Sequence, residues 1–422
     1  MYKELFLQKV KSASDYLRVF LVWGVIAVVI GAAGGAAGAL FHVSVTEADT
    51  LFERYYDRLV LLLPVGGLLI VFMYKQLKML ENKGIDDVLT SIRSNGGVPF
   101  ILSPLIFAAT VITHLFGGSA GREGAALQLG GSIGSAIGRL FRIDGKNMKT
   151  VIMCGMSAVF SALFGTPITA AFFALGITSV GSFYYAGIVP CLVSSLTAYI
   201  IVTLIGIEPT HFALFFVPEV SVITLLQTML IAALCAELSI VFCTVMHMTA
   251  RYMKIWFKNP YIRIFIGGLA IIALTYLTGT RDYNGAGMSI VENAVTGAYA
   301  KNWAWAIKIV FTAITIGAGF KGGEIVPTFF IGSTFGLFIA GLIGLTPGFG
   351  AAIGMISMFC GVLNCPIASI FLSVEVFGSE GLILFAIAAA VSYMLSGYYG
   401  LYHAQKILYS KTGGEVINTE TK

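Results

Sequence analysis

The chain has 422 residues, 57% of them hydrophobic and 11% charged, with a net charge of +5 and a mean hydropathy of +0.89. No water-soluble domain carries that balance, and so small a surplus of positive charge excludes a nucleic-acid partner; the composition is that of a polytopic membrane protein in a lipid bilayer. The six cysteines (Cys154, Cys191, Cys235, Cys243, Cys360 and Cys365) lie mainly in apolar segments without metal-type spacing, which speaks against a disulfide framework, a zinc site or any cofactor.

Residues 1–17 read as a short amphipathic lead-in, with Lys3, Lys9, Lys11 and Arg18 ahead of a first apolar span at Val19–Val43. That run is too long for the apolar region of a signal peptide, so it is expected to stay as a helix with the N-terminus cytoplasmic. A second span lies near Leu59–Tyr74. A polar interruption from Lys75 to Gly97 contains Asn82-Lys83-Gly84-Ile85-Asp86-Asp87, and Pro99–Phe116 follows as the next span.

A glycine-rich stretch, Gly117 to Gly138, then places Arg122 and Glu123 between glycines, and a helix should run from Glu123 to a basic turn at Arg139–Lys149. Thr150–Phe164 and Pro167–Val180, joined by Gly165-Thr166-Pro167, both look short of the ~20 apolar residues a full crossing needs. Longer spans occupy Tyr185–Ile205, Val222–His247 and Arg263–Thr278. After a second polar break at Gly279–Gly287, Trp303–Gly319 leads to a second glycine loop, Phe320–Pro327. Apolar pieces continue to Phe377, a last span ends near Gly400, and the tail with Lys406 and Lys411 is expected on the cytoplasmic side. Forty-nine glycines against eleven prolines suit close helix contacts and broken helices.

An internal repeat organises these pieces. Gly121-Arg122-Glu123 with Gly131-Ser132 matches Gly322-Gly323-Glu324 with Gly332-Ser333 at a constant offset of 201, and Thr166-Pro167-Ile168 matches Cys365-Pro366-Ile367 at 199. Asn82–Asp86 and Tyr283–Gly287 fall at the same distance more weakly. Two halves broken at equivalent places point to an inverted-repeat transporter with a site near the bilayer midplane. The glycine loops precede helices and so offer backbone N–H groups at helix N-termini, where anions bind. An ionisable residue at that depth marks a transport route, which singles out Glu123.

Gly118-Ser119-Ala120-Gly121-Arg122-Glu123-Gly124 resembles the GSxGREGP signature of the CLC chloride channels and anion/proton antiporters, with Ala125 at the proline position. Gly322-Gly323-Glu324-Ile325-Val326-Pro327 is similar to that family's GGxFxP signature, with Ile325 at the phenylalanine, and Leu401-Tyr402 falls where the family has its pore tyrosine. The resemblance runs from about Val19 to Lys406. It implies an all-α membrane protein, a CLC-type inverted repeat of short, tilted and broken helices, forming one transmembrane transport domain. The repeat halves would be about 19–205 and 220–400, without a cytoplasmic regulatory domain. It further implies a homodimer in the cell membrane with one pathway per subunit for chloride or fluoride, coupled to protons. Glu123 would be the gating and proton-coupling carboxylate. The backbone of Gly121, Arg122, Gly124, Ala125, Ile325 and Val326 and the hydroxyl of Tyr402 would hold the anion.

Departures from the pattern matter as much. The family's GSGIP serine loop aligns with Asn82–Asp86, so Lys83 and Gly84 stand at the inner mouth, where Lys83 either attracts anions or, as is favoured, pairs with Asp86 or Asp87 on the same helical face. The inner proton glutamate falls near Ile177, preceded by Gly176, and neither carries a proton. Loss of serine and inner glutamate together is similar to the fluoride/proton antiporter branch, which places methionine where Lys83 stands.

Among the remaining ionisable residues, an Arg122–Glu123 salt bridge is disfavoured because adjacent helical residues do not face each other. Two roles stay open for Glu324, a direct one and neutralisation of Lys321. Glu375 reads as a hydrogen-bonded carboxylate near a helix end, Glu237 as a carboxylate with a partner inside the bundle, and His114 and His247 as ordinary helix residues. The rival classes are an uncoupled anion channel, a cation-coupled organic-solute carrier and an intramembrane enzyme. The last would need a His/Asp or Ser/Lys pair near Glu123, which the sequence does not place there.

Overall fold

The computed structural model describes residues 2–143, 145–298 and 300–422, with side chains from residue 14 onward. The amphipathic lead-in expected over residues 1–17 falls largely outside the described side chains. The backbone there is the start of one long helix, α1, Tyr2–Arg54.

The first half continues with α2 (Tyr56–Leu59), α3 (Leu63–Gln76), α4 (Ile85–Arg93), α5 (Leu102–Leu115), α6 (Glu123–Leu140), α7 (Gly145–Phe164), α8 (Pro167–Gly176) and α9 (Ile188–Leu204). The second half holds α10 (Val222–Trp256), α11 (Pro260–Thr278), α12 (Met288–Val295), α13 (Ala304–Ala318), α14 (Ile325–Ile343), α15 (Pro347–Leu363), α16 (Pro366–Phe377) and α17 (Leu382–Leu395). Apart from the single turn α2, each helix has a counterpart in the same order. Packing repeats as well: α1 lies against α5, α7 and α9 as α10 lies against α13, α15 and α17, while α3 meets α11 and α8 meets α16.

Local chemistry sets the breaks. Proline occupies the first turn of α8, α11, α15 and α16, where its missing N–H costs nothing. Gly279, Gly319, Gly344 and Asn364 take the left-handed conformation that closes α11, α13, α14 and α15. Seven helices among the described residues are long and apolar enough to cross a bilayer. One of them is α7, expected to be too short. It begins at Gly145, so Lys146 and Lys149 sit in its first turns and the helix reaches 20 residues. α8, with 10 residues, is short as expected.

Without a hydrophobic gradient between helices in lipid, close packing of small residues holds the bundle. At the α6–α7 crossing, a Cβ on Gly130, Gly134 or Gly155 would overlap a backbone carbonyl of the facing helix. The same is true of Gly332, Gly336 and Gly354 at the α14–α15 crossing.

The tail folds as two strands. Lys406–Tyr409 pairs in parallel with Ser179–Val180 after α8 and antiparallel with Val416–Glu420. Gln405 Nε2 donates to Ile177 O at 3.0 Å and Leu363 O at 2.7 Å, tying the ends of α8 and α15 together. Lys411 closes this cap by donating to Asn364 Oδ1 and, at 2.9 Å, to Ser396 Oγ, over the Tyr393 ring.

A leucine at Gly155 should wedge α6 from α7 and destabilise the fold by ~1–3 kcal/mol or more. The readout is a lower thermal midpoint of the purified protein than for Gly24→Leu, where a Cβ meets nothing within 4 Å. Burial pushes the Lys411 ammonium from 10.5 down to about 8. Between those values the unfolded chain binds this proton and the folded chain does not, so the contribution of Lys411 to stability rises with pH across that window. Thermal unfolding of wild type minus Lys411→Met, followed from neutral to alkaline pH, should show that rise.

Candidate functional site

The two glycine loops that share the repeat meet in the middle of the fold. Gly121 N donates to Gly323 O and Gly323 N donates to Gly121 O, both at 2.6 Å, forming an isolated antiparallel pair. Only glycine fits here, because a Cβ on Gly323 would stand 2.5 Å from Gly124 N and 2.8 Å from Glu123 N. The bridge lies immediately before α6 and α14, so the N-termini of both helices converge. Their first amides have no partners within the helix, and the helix dipoles add positive potential at the same point.

Glu123, the first residue of α6, is fully buried there. Its Oε2 accepts from Arg122 N at 3.0 Å and from Val326 N, on α14, at 3.3 Å, while Oε1 has no hydrogen-bond partner. One carboxylate thus reaches from the end of one helix to the end of the other. The fold brings together Gly121, Arg122, Gly124, Ala125, Ile325 and Val326, all but Arg122 buried. The Arg122 guanidinium donates to Thr46 Oγ1 at 3.3 Å, and the hydrogen bonds to the Glu123 carboxylate come from backbone amides.

Glu324 is the N-cap residue of α14 and half-buried. Its Oε2 lies 3.4 Å from where a Cβ on Gly124 would stand, so it approaches the N-terminus of α6 as Glu123 approaches that of α14. Lys321, which Glu324 would neutralise in one of its two expected roles, places its ammonium 4.6 Å over the Tyr74 ring. Tyr402 is buried with a hydroxyl that has no partner, within electrostatic reach of Glu324, Glu123 and Asp86. Gln128, which sequence spacing did not single out, sits one turn into α6. Its Nε2 donates to Gly124 O at 3.1 Å and its Oε1 is buried without a partner. The available signal was a polar residue four positions after Gly124, hence on the same helical face.

At the opposite mouth Gly84 takes a positive φ of 72°, precedes α4 and faces Gln128. Lys83 does not make the expected side-chain pair with Asp86 or Asp87. Its side chain is exposed, and it is the Lys83 backbone N–H that donates to Asp87 Oδ2, at 2.9 Å, while Asp86 Oδ1 accepts from Ala404 N at 2.9 Å. A carboxylate at a helix start gains more from unpaired backbone amides than from a mobile ammonium. Burial pushes the Asp86 carboxyl above its ordinary range, moderated by the Ala404 amide.

A cavity of about 550 Å³ opens on the other side of Glu123, lined by Thr46, Asp49, Arg122, Arg281 and Asn284 among others. Asn284, the repeat counterpart of Lys83, is buried and donates to Gly117 O at 2.9 Å, stitching the cavity wall to the glycine loop. Among the described residues no group of three or more metal-binding side chains comes together.

Three other expectations meet different outcomes. Glu375 is the hydrogen-bonded carboxylate expected, with Oε1 and Oε2 accepting from Ile168 N at 2.9 Å and Thr169 N at 2.8 Å to cap α8. Glu237 has no interior partner. α10 turns Ile231, Cys235, Leu238 and Phe242 into the bundle, which leaves Glu237 exposed on the outer face. His114 is not an ordinary helix residue, for it pairs with Asp49 at 2.9 Å directly behind the glycine loop. That is a His/Asp pair near Glu123, formed by residues 65 apart in the chain. Both ring nitrogens are engaged, so neither is left to activate a nucleophile. His247 stacks on His403 with ring centroids 3.8 Å apart.

The family profile described as voltage gated chloride channel matches residues 66–397. The chain is similar to a chloride/fluoride channel protein of Pseudomonas syringae pv. tomato, 32% identical over 404 residues that cover 94% of this chain and 89% of that protein. Among solved structures it is similar to a CLC-type fluoride/proton antiporter, with a TM-score of 0.89 and 33% identity over 92% of this chain and 98% of the other. It shares its fold with a slow cyanobacterial Cl−/H+ antiporter, with a TM-score of 0.75 and 19% identity, covering 89% and 94% of the two chains.

Replacing Glu375 by alanine removes two charge-assisted bonds to the start of α8, each worth ~1.5–3 kcal/mol. The purified variant should melt several degrees lower while Glu237→Gln, on the outer face, leaves the midpoint nearly unchanged.

Proposed function

The chain belongs to the voltage-gated chloride channel (CLC) family, and we propose that it exchanges fluoride for protons across the cell membrane, with Glu123 as the gate. The observation that carries this is the Glu123 carboxylate seated on amides from two helix N-termini. A carboxylate there stands where a small anion would bind. Protonation removes its charge and its claim on the amides, and the anion takes its place. Binding by helix-terminal amides, without a fixed cation in contact, lets the ion leave again. Fluoride is favoured over chloride by the 33% identity with a fluoride/proton antiporter across nearly the whole of both chains.

Glu324, the repeat counterpart approaching the same site from the opposite side, takes the proton over from Glu123. It stands in for the inner glutamate absent at Gly176 and Ile177. The Tyr402 hydroxyl and the Gly84 turn complete the inner side of the anion path. With the N-terminus cytoplasmic, α1 crosses to end beside the 550 Å³ cavity, which then faces outward. The C-terminal cap lies inside. α8 and α16, too short to span a bilayer, expose Ile168 and Ile367 on one face. Covering that face with a second copy keeps their polar ends from lipid and makes the homodimer.

Proteoliposomes loaded with fluoride or chloride, with external pH recorded, test this directly. Wild type should release fluoride with opposite proton movement, able to run against an imposed gradient. Glu123→Ala should still move fluoride with protons no longer coupled. Anion efflux without proton movement in the wild type would make the protein a channel, and normal coupling in Glu123→Ala would remove that residue from the gate.

A further inference from the structure

His114 is completely buried, and both of its ring nitrogens face acceptors. Nδ1 lies 2.9 Å from Asp49 Oδ1 and Nε2 lies 3.3 Å from Gly121 O. A carboxylate and a backbone carbonyl have no hydrogen to give, so satisfying both contacts takes a hydrogen at each position around the ring. The His114–Asp49 pair therefore holds one proton more than a neutral imidazole beside an aspartate. Remove that proton and one contact must become lone pair against lone pair. With Nδ1–H kept on the carboxylate, the repulsion falls on Gly121 O, buried at the centre of the fold.

Gly121 O is also the oxygen that accepts from Gly323 N in the bridge between the two helix ends. Asp49, at 35% side-chain exposure, lines the cavity beside Glu123 and gives the proton a way out to water that the buried ring lacks. We propose that His114 is a positioning residue that carries an exchangeable proton, shared with Asp49 and drawn from the cavity, and that this proton holds the Gly121–Gly323 bridge in register under Glu123. The inference rests on Glu123 acting as the gate. It adds a second proton whose occupancy reports the pH of the cavity side and sets how well the amides around Glu123 are aligned.

The charged groups around the pair are Asp49 from α1, Arg122 and Glu123 from the loop and the start of α6, and Lys308 from α13, which lies within electrostatic reach of Asp49, with Glu53, Arg281 and Asp282 farther along the same cavity wall. Lys308 is fully buried and donates to Tyr283 O at 3.2 Å and Gly285 O at 2.7 Å, so its charge is held on the cavity wall. Arg122 and Lys308 favour losing the proton, whereas Asp49 and an ionised Glu123 favour keeping it. Asp49 is the one of these in direct contact with the ring.

Two measurements test the proposal. In the first, fluoride flux through Glu123→Ala, which lacks the gate proton, is followed while pH is varied on the cavity side alone, and the further substitutions are made in that background. Glu123→Ala by itself should lose flux across one alkaline step. Asp49→Asn should move that step down by about one pH unit or more, as expected for loss of a contacting opposite charge. His114→Gln should have no step. A role in packing alone would lower flux at every pH and leave the profile's shape intact, and that result overturns the proposal. The second measurement does not need transport: 15N spectra of histidine-labelled protein, which has five histidines. The signal missing from His114→Gln should be that of a doubly protonated ring at neutral pH in wild type. A neutral tautomer there overturns the proposal even if flux is normal, whereas a doubly protonated ring in a protein that moves no halide would fault the transport reading instead. Should His114→Gln fail to fold, the Asp49→Asn profile decides alone, and an unmoved step overturns the proposal.

Discussion

Everything at the centre of this protein depends on two backbone hydrogen bonds between Gly121 and Gly323. They join the two halves at a buried polar point, the start of α6 and the start of α14, without a side chain between them. Two helix N-termini brought this close repel each other electrostatically, since both end in unpaired N–H groups. The arrangement is stable only with negative charge between them, and the chain supplies it from Glu123. Site and fold are therefore the same constraint. The carboxylate that neutralises the helix ends in this structure is, in the proposed mechanism, the one that leaves when an anion takes over the task.

The surrounding glycines serve that constraint. The α6–α7 and α14–α15 crossings bring backbone to backbone, which fixes the two helices whose starts form the site. Where the two halves differ, the differences are local. Asn284 is bound into the cavity wall, while its counterpart Lys83 is turned to the surface. Glu375 caps α8, whereas Gly176, at the equivalent place, leaves the start of α16 uncapped by a carboxylate. The paired motifs hold the site in place, and the unmatched residues give its two mouths different chemistry.

Much of this was legible in the residue order. The repeat offset pairs the two loops that form the bridge, and glycine beside an ionisable residue in an apolar chain singles out Glu123. Lys83 was misplaced because helical periodicity says which side chains share a face but not whether backbone amides will claim the carboxylates first. Glu237 was placed inside because a charge in an apolar helix usually lies there, and only the packing of α10 shows which side faces out. The pairing of His114 with Asp49 has no signature at all, as it joins two helices through residues 65 positions apart. Short-range patterns report on elements, and contacts of that kind appear only when elements are assembled.

The small C-terminal sheet carries a consequence for how the protein is made. Its first strand, Ser179–Val180, lies near the end of the first half, yet its partners come after the whole of the second half. A ribosome working from the N-terminus produces α8 long before Lys406–Tyr409 exists, so the end of α8 must wait through the synthesis of the entire second half. The first half thus cannot be finished as an independent unit. Gln405, bound to both Ile177 and Leu363, works as a latch that engages only once both halves are in the membrane and facing each other.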